Sequence, residues 1–220
     1  MVVVAAAVIF DFKDTLAFVA ADGPSIREAA SARGFVVVDQ DEAPALTSDA
    51  SSQAAFENQV RRDRRQALRP AGATDAEADQ ILDEVEAGRG ELRMELFPEV
   101  AEVLEALRSA GLSLAVCSNW DWNLDKQIAA LGLADHFAVV TCSARCGFWK
   151  PHPAIFELTV RALGVDPSEV IFVGDNYRND IEPAERAGML GYHLHRRACD
   201  AGCRWGGDSL AAMIGDLHSR

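Results

Sequence analysis

The chain has 220 residues, 49% hydrophobic and 25% charged, which allows one large core with a smaller insert and excludes a disordered chain. Its formal charge of −13 repels nucleic-acid phosphate, so non-specific binding to DNA or RNA is not expected. An anionic small molecule can still be held where a metal or a local group of cations reverses the field. Five cysteines, an odd number, read as reduced thiols of a cytoplasmic protein.

Residues 2–10 are apolar, with no basic segment before them and no cleavage site after. They are too short to cross a bilayer, and a buried parallel strand is expected rather than a leader. No other apolar run is long enough for a membrane span. Residues 24–33 read as a helix with Pro24 near its start and Gly34 after its end. A second helix is expected over 47–69, with Thr47 and Ser48 as caps. After Pro70 and Gly72, Thr74 and Glu77 make a capping box, followed by apolar Ala78, Ile81, Leu82 and Val85. Residues 17–96 therefore read as helical throughout, an insert that leaves 1–16 and 97–220 as the core.

After Pro98 helix and strand alternate. VAEVLEALRSAG is an amphipathic helix closed by Gly111, LSLAVCS a buried strand, DKQIAALGL a helix and HFAVVTC a strand. PAIFELTVRALG is a helix opened by Pro153, EVIFVGD a strand, and DIEPAERAG a helix ending at Gly188. A last strand is expected over 190–195 and a last helix over 208–218. Such alternation predicts an α/β fold: a three-layer Rossmann-like parallel sheet core with an inserted helical cap. In these sheets the site lies at the carboxyl ends of the strands.

Four strand ends carry a consistent set of residues. The first ends in Asp11-Phe12-Lys13-Asp14-Thr15, the second in Ser118-Asn119, and the fourth in Gly174-Asp175, with Asn179-Asp180 beyond. Lys150-Pro151 follows the third. Asp11, Asp175 and Asp180 would repel one another at one spot. A hard divalent cation relieves this, and Mg²⁺ takes a few carboxylates plus water and substrate phosphate. A lysine and a hydroxyl beside them would hold phosphoryl oxygens, and an aspartate can attack phosphorus to form an aspartyl phosphate.

These segments resemble, in order, the four motifs of the haloacid dehalogenase-like superfamily: DxDxT, a strand ending in Ser or Thr, a KP-type lysine and GDxxxND. The resemblance covers residues 2 to about 195. It implies that Asp11 is the nucleophile, that Ser118 and Lys150 bind the transferring group, and that Asp175 binds the metal with Asp180 close by. The backbone carbonyl of Lys13 would complete the metal site. Thr15, Asn119 and Trp120 are candidate substrate contacts. The insert at 17–96 fits the family's helical cap, which closes over the site and selects substrate. The expected activity is Mg²⁺-dependent hydrolysis of a small phosphate ester, with no nucleic-acid or membrane partner.

One departure bears on the chemistry. Where the family's phosphatases carry a second aspartate, which protonates the leaving oxygen, this chain has Lys13. A lysine with an ordinary pKa of about 10.4 is a poor proton acceptor at neutral pH. Three readings follow. The chain is a phosphatase on substrates with good leaving groups, a weak or inactive member used for binding, or a 2-haloacid dehalogenase. The family's dehalogenases work without metal and usually carry tyrosine at this position, so the complete GDNYRND segment argues against the third.

The remaining candidates have plainer readings. The chain has only three lysines, Lys13, Lys126 and Lys150, against eighteen arginines, so a lysine at a motif position is informative. Arg61, Arg62, Arg64 and Arg65 read as a solvated helix face rather than a phosphate clamp. Trp120 and Trp122 line the pocket or pack beneath the cap. His152 opens a helix, and His193 and His195 belong to the last strand. Cys142/Cys146 and Cys199/Cys203 would hold zinc only if the fold joined the pairs, and their spacing is looser than CxxC.

Overall fold

The computed structural model describes residues 5–21, 25–36, 52–88, 93–196 and 205–218. Strands β1 (Ala7–Phe10), β4 (Ser113–Ser118), β5 (Val139–Cys142), β6 (Val170–Gly174), β7 (Leu190–Leu194) and β8 (Gly206–Gly207) form one sheet, in the order β5-β4-β1-β6-β7-β8. Every pairing in it is parallel. Parallel strands buried on both faces need continuous apolar sequence, and β1 and β6 supply it, being buried along their whole length. β1 is central, with Phe10 opposite Val116 on one side and Val173 on the other. The register therefore sets Asp11 between the ends of β4 and β6.

Helices cover the sheet. α4 (Val100–Ser109) buries Val100, Val103, Leu104 and Leu107, the i, i+3, i+4, i+7 stripe that its sequence prescribes. α5 (Leu124–Ala130) and the short α6 (Ser143–Cys146) flank β5. α7 (Pro153–Leu163) packs Ile155, Phe156 and Val160 against Ile9, Cys117 and Phe172. Each such buried side chain contributes about 1.5–3 kcal/mol. α8 (Glu182–Arg186) and α9 (Leu210–His218) complete the core.

Two compact units divide the chain, one running to Phe18 and resuming at Glu95, the other lying between Val19 and Met94. The second unit is helical: α1 (Ile26–Ala32), α2 (Gln53–Leu68) and α3 (Asp75–Gly88) enclose Ala29, Ala30, Leu68, Ala78, Ile81 and Val85. Ser25 caps α1 in a capping box with Glu28, and Thr74 and Glu77 do the same for α3. Ser52 caps α2. Arg61 and Arg65 of α2 pair with Asp79 and Asp83 of α3, so those arginines serve as an ion-paired helix face.

The sequence expectation fails at both ends of the insert. Ala17–Ala21 is strand β2 and Arg93–Leu96 is strand β3, and the two pair as a separate ribbon. Segments of five and four residues are too short to nucleate a helix, and the ribbon supplies backbone partners that a frayed turn would lack. Pro24, Thr47 and Ser48 lie outside the described residues. The helix expected around 180–188 is broken into a π-turn, Tyr177–Ile181, and then α8, whose Pro183 cannot donate a backbone hydrogen bond. Sequence reasoning missed β8 and α6, which are too short to show a period. Among the described residues no helix is long and apolar enough to cross a membrane.

Candidate functional site

Asp11 follows β1 directly and is almost fully buried. Ser118, the last residue of β4, donates its hydroxyl to Asp11 Oδ1 at 2.9 Å. Lys150 Nζ donates to the same oxygen at 2.6 Å and to Asp180 Oδ1 at 2.5 Å. Among the described residues, no side chain donates to Asp11 Oδ2. Lys150 and Asp180 are as deeply buried, so this is a charge network shielded from water. Burial alone would lower the Lys150 pKa, but the charges of Asp11 and Asp180 outweigh it and hold the ammonium above its ordinary value.

Asp175 follows β6. Carboxylate oxygens of Asp11, Asp175 and Asp180 lie within 4.8 Å of one another, a donor set of the kind that holds a metal ion. Burial, then the charges of Asp11 and Asp180, push Asp175 up to about 7. Burial also raises Asp180, against the pull of Lys150. Three acids crowded around one lysine leave an excess of negative charge that a cation would neutralise. Gly174 makes room for this arrangement. A Cβ there would lie 2.5 Å from Asp180 Cβ and Oδ2.

Lys150 is held from its backbone as well. Asn119 Nδ2 donates to the Lys150 carbonyl at 2.9 Å, and the Lys150 N–H donates to Asn119 Oδ1 at 2.6 Å. Both ends of the Asn119 amide are thus engaged by one residue, and its role here is to place Lys150. Trp120 donates its indole N–H to Asn123 and meets the Phe12 ring edge-on at 5.1 Å. Its backbone N–H donates to the Ser143 hydroxyl at 3.1 Å, and its carbonyl accepts from that hydroxyl and from the Ala144 N–H, so these contacts tie it to local structure. Thr15 is fully buried, and its hydroxyl has no partner among the described residues.

Lys13 lies apart from the buried network. Its side chain is 53% exposed, and its ammonium pairs with Asp14 at 3.8 Å. Asp14 has φ +59°, the only positive value among described residues other than glycine, and its charge adds to the upward push on Asp175. The left-handed turn at Asp14 lets its N–H reach the Ala17 carbonyl.

Two residues near the site escaped the sequence reading of function. His193 of β7 touches the backbone carbonyl of Asp175 through Nε2 at 3.0 Å. Arg196, two residues past β7, donates two hydrogen bonds to the Thr15 carbonyl. Strand alternation shows that His193 and His195 share a face, but no sequence signal names a carbonyl as partner. His152 caps α7 by accepting from the Ala154 N–H, as expected of a helix opener. Cys142 accepts from Arg145 Nε, while Cys199 and Cys203 lie outside the described residues.

Known proteins resemble this chain in sequence and fold to different degrees. A phosphoserine phosphatase of Thermus thermophilus is 34% identical over 133 residues, covering 60% of this chain and 53% of that protein. The chain thus spans about half the length of this curated relative. A predicted phosphoglycolate phosphatase from Haemophilus somnus 129pt has the same fold, with a TM-score of 0.70 at 24% identity over 96% of this chain and 97% of that one. A 2-haloacid dehalogenase from Pseudomonas syringae pv. Tomato DC3000 superposes with a TM-score of 0.59 at 28% identity, over 98% and 99%. The model of the haloacid dehalogenase-like hydrolases matches residues 5–188, so the chain belongs to that family of hydrolases.

Proposed function

We infer that the protein is a Mg²⁺-dependent phosphatase acting on a small phosphorylated metabolite through an aspartyl phosphate on Asp11. The carrying observation is the buried carboxylate of Asp11, anchored through Oδ1 by Ser118 and Lys150 and flanked by two further acids. Anchoring one oxygen leaves Oδ2 to attack phosphorus. The Oδ2–P bond forms as the P–O bond to the leaving group breaks. With Lys13 in place of a side-chain acid, a stabilised oxyanion departs and takes its proton from water. A second water then attacks phosphorus, releasing hydrogen phosphate and a proton to solvent and restoring the Asp11 carboxylate. Lys150, which keeps a third N–H beyond its bonds to Asp11 and Asp180, would bind a phosphoryl oxygen as charge develops on it, while Ser118, whose one hydroxyl proton lies on Asp11 Oδ1, would hold the nucleophile. Asp11, Asp175, Asp180 and the Lys13 carbonyl would hold the metal, and the raised Asp175 and Asp180 fit a site completed by a cation. Bound there, Mg²⁺ neutralises the charge that would repel phosphate from the nucleophile. The helical unit inserted between β2 and β3 is taken as the family's substrate-selecting cap. Similarity to a phosphoserine phosphatase supports a phosphate ester as substrate class.

The second reading is a weak or inactive member, favoured by the exposed, ion-paired Lys13. The two divide on one experiment: the protein, Asp11→Asn and Lys13→Asp, each incubated with Mg²⁺ and a panel of alkyl, aryl and acyl phosphates. Turnover by the unaltered chain, strongest on good leaving groups and abolished in Asp11→Asn, is expected. No turnover by the unaltered chain, with activity appearing in Lys13→Asp, overturns the first reading. Halide release from a 2-haloacid in chelator would establish dehalogenation instead.

A further inference from the structure

The side chain of Arg196 is 11% exposed, and its guanidinium is engaged along its edge and on one flat face. Nε and Nη2 donate to the Thr15 carbonyl at 3.2 and 2.7 Å. Nη1 donates to Glu99 Oε1 at 2.8 Å. The flat face lies on the Phe97 ring, with Cζ 3.5 Å from its centroid. The groups it touches come from two places far apart in sequence. Thr15 ends the loop that begins at Asp11. Phe97 and Glu99 lie just after β3, where the chain returns to the core. Direct bonds reinforce the junction: the Phe97 N–H donates to the Leu16 carbonyl at 3.2 Å, and the Phe97 ring packs on Phe18 at 5.1 Å. Glu99 Oε1 also accepts from the Leu210 N–H at the start of α9.

The loop from Asp11 to Thr15 has reason to need an external support. It carries the left-handed Asp14, a conformation that a residue with a Cβ adopts at a cost. It also carries Thr15, which is fully buried and whose hydroxyl has no partner among the described residues, so its side chain is held by packing and by no hydrogen bond. The loop closes on itself through the Leu16 and Ala17 N–H groups on the Phe12 carbonyl, and Thr15 is tied to the rest of the core through its carbonyl, by Arg196. Only a planar fork with an aromatic-stacking face can make these contacts together; an ammonium on the same stem could reach the carbonyl or the carboxylate but not stack.

We propose that Arg196 is a positioning residue, which holds the Asp11–Thr15 loop and the returning segment at Phe97–Glu99 as one rigid junction and so sets the aim of the Asp11 carboxylate. It acts through the backbone of Thr15 and touches no substrate. The effect on turnover rests on the reading of Asp11 as nucleophile, whereas the effect on the loop does not.

The test compares the full chain with Arg196→Met, which keeps most of the stem's bulk, and Arg196→Lys, which keeps the charge. Amide hydrogen exchange is followed in segments covering 11–18, 95–99 and, as reference, β4 and β6. In Arg196→Met, exchange is expected to speed up about tenfold or more in the first two segments while the reference strands stay protected, since hydrogen bonds to a charged group are lost at one place only. Arg196→Lys should recover part of the protection. On a phosphate ester, kcat should fall about tenfold in Arg196→Met with KM nearly unchanged, the pattern of a misaimed reacting group. Uniform loss of protection across the sheet, or none in 11–18, would overturn the proposal. So would a kcat within about twofold of the unaltered chain at temperatures where the variant is fully folded. If the unaltered chain turns over no ester, the phosphatase reading fails alone, and the exchange pattern still decides the junction.

Discussion

Replacing Gly174 by alanine should weaken this protein, against the usual direction. Alanine in a strand is ordinarily better than glycine by roughly 0.5–1 kcal/mol, because the unfolded glycine has more freedom to lose. Gly174 ends β6 beside Asp175, and its added Cβ would meet Asp180 Cβ and Oδ2 at 2.5 Å and Cγ at 2.6 Å. Carbon atoms pack at about 3.5–4.0 Å, so about 1 Å must be found. Asp180 cannot give it freely. It is buried, with Oδ1 held by Lys150 at 2.5 Å and Oδ2 by the Asn176 N–H at 3.1 Å. Overpacking of this kind costs about 1–3 kcal/mol. Loosening a buried hydrogen bond between charged groups adds about 1.5–3 kcal/mol. Together these cost about 2.5–6 kcal/mol, and less the alanine's ordinary gain a net loss of roughly 2–5 kcal/mol remains, a large part of an ordinary stability of about 5–15 kcal/mol. Urea unfolding of Gly174→Ala against the unaltered chain measures it, with the slope m checked for constancy. A loss below about 1 kcal/mol at unchanged m would show that Asp180 is not pinned as described.

Two further predictions follow from the same network. Asp175 has a folded pKa of about 7, raised by burial and its acidic neighbours above an unfolded value of about 3.9. The folded state therefore holds a proton that the unfolded state lacks between about pH 4 and 7, so metal-free stability falls as pH rises through that window and levels off above it. On the proposed reading Mg²⁺ would bind the ionised form and act oppositely, raising the melting temperature strongly near pH 8 and little near pH 5; at about a hundredfold excess over Kd it would be worth about 2.7 kcal/mol. An equal shift at both pH values would contradict a site built on these acids. For Asn119→Ala, loss of both bonds to the Lys150 backbone should cost about 2 kcal/mol in urea unfolding. A change under about 0.5 kcal/mol would mean that Lys150 is placed by other contacts.

The parallel core was legible because buried strands and amphipathic helices leave strong periods in sequence, and because each strand end closes on a residue with chemistry. Ser118 and Lys150 reach Asp11, and oxygens of Asp11, Asp175 and Asp180 lie within 4.8 Å of one another, at the strand ends to which the sequence drew attention. The roles of Asn119 and Trp120 were less legible. A side-chain amide next to a motif serine reads equally well as a substrate contact or a backbone clamp, and only the distance to Lys150 separates the two. The ribbon of β2 and β3 was hidden because its strands are short and pair with each other across the whole insert. Arg196 was invisible for a related reason: its partners are a carbonyl and a ring face, which any residue and any aromatic could supply. Lys13 stood out in sequence, and its solvent exposure and bond to Asp14 give its departure from the family pattern a physical form.

The central position of β1 also has a consequence during synthesis. Its two neighbours are β4 and β6, so Ala7 waits for Ser113 and Val170. At about 5–20 residues per second on a ribosome, the most apolar strand of the core has no sheet partner for on the order of 5–20 s. The helical unit is made in that interval and has its own apolar interior and ion pairs. Pairing of β2 with β3 then shortens the loop between β1 and β4, and reducing it about fourfold saves about 1.2 kcal/mol of closure entropy. Slowing translation before residue 113 should therefore lengthen the exposure of β1 and lower the soluble yield, with the folded protein itself unchanged.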